Sequence, residues 1–374
     1  MAFIFSEPMT GYSAAMDLVR NKWTGNINED QSLGKFVYTV GTGRFTGGSI
    51  KSASNCNLTR PFLDQGGLGN ANIFVQVMVK WDVGSLTLNS SFLQLKNNGG
   101  VDIALTLQRT TNNELVALDD TGMIAGTSAV GVVTPGVWQV VTVVAEIGSD
   151  SGSLELYVDD FVTPVISVSG VAMNLDGVSN YLCDAITFVQ PVNQVGAVYN
   201  VSELFVYDTL GTTWNSLIGD KYHIPLVPQT LNASANPFTP SSGPSGHLMV
   251  DDPLSALSDD GATYNIGNYG AYLAAPAGGF YDQFDLSDLP PNTTGIIGVL
   301  SVLTARKSSA APEFDVLKHR IFYTFELSAD LDVALTDEYL DYQAMFPKDP
   351  TFADWTVTSV NALDGGYGIG NAPA

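Results

Sequence analysis

The chain has 374 residues and carries 38 acidic against 15 basic side chains, which gives a net charge of −23. This length predicts two domains, each large enough to bury its own core. The negative charge repels phosphate backbones and anionic membrane surfaces, so we expect no nucleic-acid ligand. The longest apolar stretches, such as 295–305, are shorter than the roughly 18 to 20 residues of a membrane-spanning helix, so we expect no membrane insertion.

The spacing of apolar residues at 13–23 predicts one short amphipathic helix near the start of the chain. After this segment, apolar and polar residues alternate with the period of two that is typical of β-strands. The predicted strands include Lys35–Thr39, Gly48–Ser52, Asn72–Lys80, Ser91–Lys96, Asp102–Gln108, Leu115–Leu118, Trp138–Glu146, Ser153–Val158 and Tyr199–Tyr207. Turns rich in glycine and asparagine separate these strands, for example at 97–100. Many short strands with such turns predict an all-β fold of the sandwich or jelly-roll type.

The segment 138–168 is the most informative part of the first half. It contains a buried strand, WQVVTVVAEI, then the turn GSDSG, and then the alternating run SLELYVDDFVTPVISV. This order resembles laminin G-like and concanavalin A-like sandwiches, in which a tryptophan-led strand precedes a hairpin. The chain has Asp159 and Asp160 where that family often has Asp-Gly. The resemblance implies a concanavalin A-like jelly-roll sandwich over residues 1–228.

Three further segments resemble parts of tailed-bacteriophage virion proteins, in the same order along the chain. The first is 201–228, VSELFVYDTLGTTWNSLIGDKYHIPLVP, in which the resemblance implies a last sandwich strand at 204–206 and an exit strand that begins at 219–220. The others are 282–307 and the terminal ADWTVTSVNALDGGYGIG, for which the family implies a short helix followed by a last strand. Ser202 and Glu203 stand where the family usually has two aspartates, which weakens any prediction of a metal there.

A passage rich in proline, serine, glycine and asparagine interrupts the periodicity at 229–246 and predicts a linker. We then expect residues 247–374 to form a smaller β-sandwich-like domain with a role in assembly. Its apolar runs at 295–303 and 321–327 require burial, either in this domain or against another protein chain. We therefore expect this domain to contribute a contact surface in an oligomer.

The sequence predicts no catalytic, cofactor-binding or metal-ligating residues and no cofactor. His223, His247 and His319 lie outside GxSxG and HExxH motifs, so each is predicted to be a surface or capped imidazole. The paired carboxylates of glycoside hydrolases are missing at the required spacing, and the paired aspartates do not form a calcium loop. Cys56 and Cys183 are predicted to be free buried thiols, although a single bridge between them stays open.

The resemblance implies a non-enzymatic structural component of the exterior of a tailed-phage particle, such as a head decoration, collar or tail fibre protein. Such a protein is made in the host cytoplasm and acts through contacts with other virion proteins and with its own copies. The alternative is a carbohydrate-binding adhesin that recognises a host surface glycan through aromatic side chains. The candidate glycan contacts are Trp81, Trp214, Tyr264, Tyr269 and Tyr272.

Overall fold

The fold is taken from a computed structural model of the chain. The residues described are 3–7, 23–25, 36–39, 42–44, 48–52, 56–61, 72–97, 102–148, 151–173, 183–190, 195–208, 216–224, 226, 228–231, 239–240, 273–274, 281–306, 316–323, 326–327, 331–337 and 340–370. The chain divides into two compact units, Met1–His223 and Ile224–Ala374. The predicted helix at 13–23 lies outside the described residues except for Trp23, and the predicted domain limits of 228 and 247 stay a prediction.

The first unit consists almost entirely of strands. They are β1 Phe3–Glu7, β2 Thr24–Gly25, β3 Val37–Thr39, β4 Ser49–Lys51, β5 Cys56–Pro61, β6 Asn72–Trp81, β7 Ser90–Asn97, β8 Asp102–Arg109, β9 Leu115–Leu118, β10 Ile124–Thr127, β11 Gln139–Glu146, β12 Gly152–Val158, β13 Ile166–Val171, β14 Ala185–Gln190 and β15 Tyr199–Asp208. A short 3-10 helix, Val195–Ala197, precedes β15.

These strands form two sheets. The larger sheet has the order β13-β12-β11-β6-β15-β4-β3, with β1 also paired to β15, and the smaller sheet has the order β10-β9-β8-β7-β14-β5-β2. Neighbouring strands run antiparallel, as in β6 with β11 and β7 with β8. The prediction of an all-β fold built from antiparallel sheets is confirmed.

Aromatic side chains fill the space between the two sheets. Trp81 of the larger sheet meets Phe92 of the smaller sheet edge to face at 5.4 Å, and Phe92 also meets Tyr199 at 6.2 Å. Phe92 is the extra residue of a β-bulge between β7 and β8. The Tyr199 hydroxyl lies 3.0 Å from the Phe92 carbonyl oxygen and can donate to it across the sandwich. One hydroxyl therefore fastens the two sheets at a point where the strand pairing is irregular.

The second unit also consists mainly of strands. Its elements are β16 Pro228–Leu231, β17 Thr239–Pro240, β18 Leu273–Ala274, β19 Tyr281–Leu286, β20 Val299–Ala305, β21 Val316–Tyr323, β22 Glu326–Leu327, β23 Leu331–Ala334, β24 Leu340–Phe346, α1 Val357–Asn361 and β25 Leu363–Gly370. A six-stranded sheet has the order β16-β19-β25-β21-β22 with β23 paired to β21, and β20 pairs with β24. No described helix is long and apolar enough to cross a membrane.

This unit buries a core of its own, in which Ile321, Phe346, Trp355 and Leu363 pack together. The apolar run at 321–327 therefore contributes at least Ile321 to an internal core, and the run at 295–303 is half-buried. The Thr356 hydroxyl caps α1 by accepting from the Ser359 backbone N–H. The prediction of a short helix followed by a final strand is confirmed.

Candidate functional site

The outer face of the larger sheet carries polar side chains that a segment of the chain covers. Side chains alternate along β6, so Phe74, Gln76 and Met78 lie on the face opposite to the interior of the sandwich. All three are nevertheless buried, because residues 216–223, the covering segment, lie over this face. The Gln76 amide donates to the Gly219 carbonyl oxygen at 2.8 Å. The predicted exit strand at 219–220 is wrong, since these residues form irregular chain that hydrogen-bonds to a side chain.

A β-bulge in β15 turns Glu203 toward this face. The pairing with β6 passes from Val201 opposite Val79 to Leu204 opposite Val77, which leaves one extra residue in β15. The Glu203 carboxylate, 1% exposed, accepts a hydrogen bond from the His223 imidazole at Nδ1, and the two side chains form an ion pair when the imidazole is protonated. The bulge thus places a buried carboxylate where a histidine of the covering segment reaches it.

Three further contacts hold the covering segment. The His223 ring stacks on Phe205 at 4.6 Å with the ring planes 7° apart. Leu217 and Ile218 pack against the cluster of Phe74, Phe205 and Tyr207. The Arg44 guanidinium makes a bidentate ion pair with the Asp220 carboxylate, in which Nη1 donates to Oδ1 at 2.5 Å and Nη2 donates to Oδ2 at 2.6 Å. Together with these contacts, Glu203 and His223 hold residues 216–223 on the sheet.

A shallow depression of about 340 Å³ lies further along the same face. It is lined by Val144, Ser153, Glu155, Ser167, Val168 and Ser169. The Tyr157 hydroxyl donates to the Glu155 carboxylate at 2.7 Å, and burial, with this carboxylate, raises the pKa of Tyr157 to about 12. Hydroxyls and one carboxylate can hydrogen-bond a polar ligand, but none of the described lining residues has an aromatic ring on which a sugar could stack.

Five segments meet at one end of the sandwich, and we call this end the loop end. Its segments are 82–89, 110–114, 128–138, 159–165 and 195–198. The Arg109 guanidinium, which is buried, joins three of them by donating to the carbonyl oxygens of Gly196 and Gly84 and to the Asn113 side chain. The backbone N–H of Gly136 donates to the Trp81 carbonyl oxygen at 2.8 Å.

Hydrogen bonds also tie the longest of these segments to its neighbours. The Val133 N–H donates to the Asn113 carbonyl oxygen at 2.9 Å. The Gln139 amide donates to both the Val132 carbonyl oxygen and the Asp159 carboxylate, which in turn accepts from the Val140 N–H. The segments of the loop end are therefore fixed relative to one another by backbone and buried side-chain contacts.

Large aliphatic side chains project into solvent from this end. Val83 is 77% exposed, Val130 70% and Val162 86%, and Leu88 and Val137 are also exposed. No charged residue occurs in 83–90, 110–113, 128–138 or 161–165, although the chain as a whole has a net charge of −23. Asp82, Glu114, Asp159 and Asp160 border these uncharged segments. The loop end is thus an aliphatic surface of uncharged segments bordered by carboxylates, of which Asp82 pairs with Lys51.

The residues predicted to contact glycans do not form a site in the described part of the chain. Trp81 is 1% exposed and packs against Phe92, so its ring faces the core and that prediction is wrong. Trp214, Tyr264, Tyr269 and Tyr272 lie outside the described residues.

The predictions for cysteine and histidine have mixed outcomes. Cys56 and Cys183 are buried thiols outside any disulfide, as predicted, and burial raises the pKa of Cys183 to about 12. His319 is not a surface imidazole, because it is 0% exposed, but the Ser301 hydroxyl caps its Nδ1 at 2.9 Å; His247 lies outside the described residues. His223 is also mostly covered, in its contact with Glu203. Among the described residues, no three histidine, cysteine, aspartate or glutamate side chains converge as metal ligands.

Sequence analysis also missed the loop end and the role of Glu203. The run SAVGVVTPGVW at 128–138 contains no charge and no alternation, but other stretches of the chain, such as 222–250, are also uncharged, so this run did not mark the loop end. Nothing in the sequence indicated the bulge that re-orients Glu203, because a bulge depends on the pairing of two distant strands.

No family model and no curated protein matches this sequence. Solved structures that resemble it include a sialidase, with 9% identity and a TM-score of 0.38 over 56% of this chain and 19% of that chain. A carbohydrate esterase from the Shiga toxin-encoding bacteriophage phi24B has 12% identity and a TM-score of 0.36 over 55% of this chain and 98% of that chain. A GH43 glycoside hydrolase has 14% identity and a TM-score of 0.38 over 56% of this chain and 41% of that chain. The chain spans about one fifth of the sialidase's length.

Proposed function

We propose that the protein is a non-enzymatic structural component of the exterior of a tailed-phage particle, such as a head decoration, collar or tail fibre protein. The observation that carries this proposal is the loop end, where Val83, Val130 and Val162 are exposed on segments without charge. Exposed aliphatic groups that cluster on a soluble protein are usually partner surfaces. A protein that acts through contacts with other virion proteins requires such a surface.

Two other features support this proposal. The polar groups on the outer face of the larger sheet, Glu203 and His223, contact each other beneath a covering segment, as expected for groups that stabilise a fold. In addition, the segment 201–228 resembles a recurrent segment of phage virion proteins, and the second unit ends with the helix and strand that the resemblance implies. The position on the particle exterior is part of the same proposal.

The test is to find the protein in purified particles and to locate it by electron cryomicroscopy. A phage that lacks the gene would be complemented with wild-type protein, with a Val83→Asp/Val162→Asp double variant, or with Met123→Asp as a control. Met123 is a matched control because it is 67% exposed but lies in the β9–β10 hairpin, at the opposite end of the strands. We expect wild type and control in the particles and a strongly reduced amount of the double variant. Absence of the wild-type protein from particles would contradict the proposal.

A second candidate function is binding of a host surface glycan, which the depression on the larger sheet favours. The hydroxyls of Ser153, Ser167 and Ser169 and the carboxylate of Glu155 could hydrogen-bond sugar hydroxyls there. A glycan array with wild-type protein and with a Glu155→Gln/Ser167→Val variant tests it. Saturable binding that the variant loses would support this function, and an array without binding would exclude it for the glycans presented.

A further inference from the structure

We infer that the loop end joins two copies of this chain in a symmetric pair. The inference rests on the proposed function, because it names the partner that the loop end contacts in assembly.

Charge distribution indicates where two copies can meet. Each copy carries a net charge of −23, so two copies repel each other when average parts of their surfaces approach. The segments 83–90, 110–113, 128–138 and 161–165 contain no charged residue, so approach through the loop end places few carboxylates in the contact. A basic partner would instead favour the acidic remainder of the surface. The charge pattern therefore favours a second copy over a cationic protein.

The exposed side chains have the chemistry that self-association requires. In a symmetric pair the same surface is present on both sides, so it must be complementary to itself. Aliphatic groups such as Val83, Leu88 and Val162 meet this condition, because their contacts need no matching donor or opposite charge. The absence of charge from the central segments also leaves no buried carboxylate without a partner.

The loop end is also preorganised for a contact. Arg109 and Gln139 hold its segments through hydrogen bonds to Gly84, Gly196, Val132 and Asp159. Loops that are already ordered lose little conformational freedom on association, which favours binding by a small surface. A few aliphatic side chains on each partner nevertheless predict a weak pair, with a dissociation constant of roughly micromolar to millimolar. Such contacts become effective when many copies are held on one particle.

The acidic border gives the pair a characteristic salt dependence. Glu114, Asp159 and Asp160 on one copy would face the same carboxylates on the other, whereas Asp82 is already paired with Lys51 at 3.2 Å. Dissolved salt screens this repulsion and strengthens apolar contacts. Association should therefore become tighter as the sodium chloride concentration rises, whereas a pair held by ion pairs would become weaker.

Analytical ultracentrifugation of the purified full-length chain over a range of concentrations tests the inference. We expect a reversible monomer–dimer equilibrium that tightens with added sodium chloride. Val83→Asp/Val162→Asp should weaken it at least about tenfold, which is about 1.4 kcal/mol, and Met123→Asp should leave it unchanged. Val83→Ser/Val162→Ser is a milder second variant, and circular dichroism and thermal melting show whether each variant is folded.

Three results would overturn the inference: a wild-type chain that stays monomeric up to its solubility limit, a dimer that folded loop-end variants do not weaken, or a dimer that the Met123→Asp control weakens equally. The proposed function fails independently, if the protein is absent from particles. A dimer through the loop end without incorporation into particles would retain this inference and refute the function. Incorporation of a strictly monomeric protein into particles would support the proposed function and refute this inference.

Discussion

Acid should destabilise the second unit through one buried histidine, His319 of β21. Its side chain is 0% exposed, and its Nδ1 lies 2.9 Å from the Ser301 hydroxyl oxygen. Nε2 is buried without a hydrogen-bond partner among the described residues. Burial lowers the pKa of His319 from 6.5 to about 4, because the charged imidazolium would be removed from water.

The pKa difference sets the size and the direction of the effect. The unfolded chain binds a proton at His319 below about pH 6.5, whereas the folded chain binds it only below about pH 4. Between these values the unfolded state holds more protons, so the free energy of unfolding falls as the pH falls. At 1.36 kcal/mol per pKa unit, this one group removes about 3 kcal/mol between about pH 7 and about pH 4. The stability that depends on His319 is complete above pH 6.5.

Urea unfolding followed by tryptophan fluorescence would measure how the free energy of unfolding depends on pH, since Trp355 lies in the core of the second unit. The variants are His319→Asn, which retains a polar atom near Ser301, and His319→Leu, which has none. Neither variant titrates at this position, so their free energies of unfolding should fall about 3 kcal/mol less than that of wild type over the same pH interval. The many carboxylates titrate in all three proteins and cancel in the comparison. A difference between wild type and both variants that does not change with pH would refute the reasoning.

Three substitutions in the first unit have predicted effects on stability, each measured by urea or thermal unfolding. Tyr199→Phe removes the hydroxyl that can donate to the carbonyl of the bulge residue Phe92, and should lower the free energy of unfolding by about 1 to 2 kcal/mol; no change would mean that water replaces it. Gly196→Ala places a Cβ 2.9 Å from the backbone oxygen of residue 84 and should cost about 2 kcal/mol; a neutral result would show that this close approach relaxes freely. Glu203→Ala removes the acceptor of His223 and should cost about 2 kcal/mol and speed proteolysis at 216–223; unchanged cleavage would argue against its role in holding that segment.

Local pattern alone determined many of the strands. The predicted strands 102–108, 115–118 and 153–158 match β8, β9 and β12 to within one residue at each end. Alternation of apolar and polar side chains is a property of consecutive residues, and one buried face imposes it wherever a strand crosses the core. The final helix was similarly predictable, since the Thr356 cap and the Ser359 partner are three residues apart in the chain.

Only the tertiary structure showed which face of β6 lies in the interior of the sandwich and which lies outside. Its sequence, NIFVQVMVKW, is almost continuously apolar, so alternation could not show which side chains face the second sheet. Trp81 was predicted to bind glycans at the surface, but the sandwich places it against Phe92, and residues 216–223 cover the opposite face. Whether a face is covered depends on segments more than a hundred residues away, and the alternation of residues along one strand carries no information about such segments.

The net charge, the β content and the absence of known catalytic motifs could be read from the sequence, because each is a property of composition or of neighbouring residues. The functional surfaces depended on which strand ends come together. Strand pairing brings Val83, Val130 and Val162 to one end of the sandwich from segments up to about eighty residues apart, and a bulge aims Glu203 at His223. Strand pairing links residues that are distant in the chain, so only the folded structure could place these side chains together.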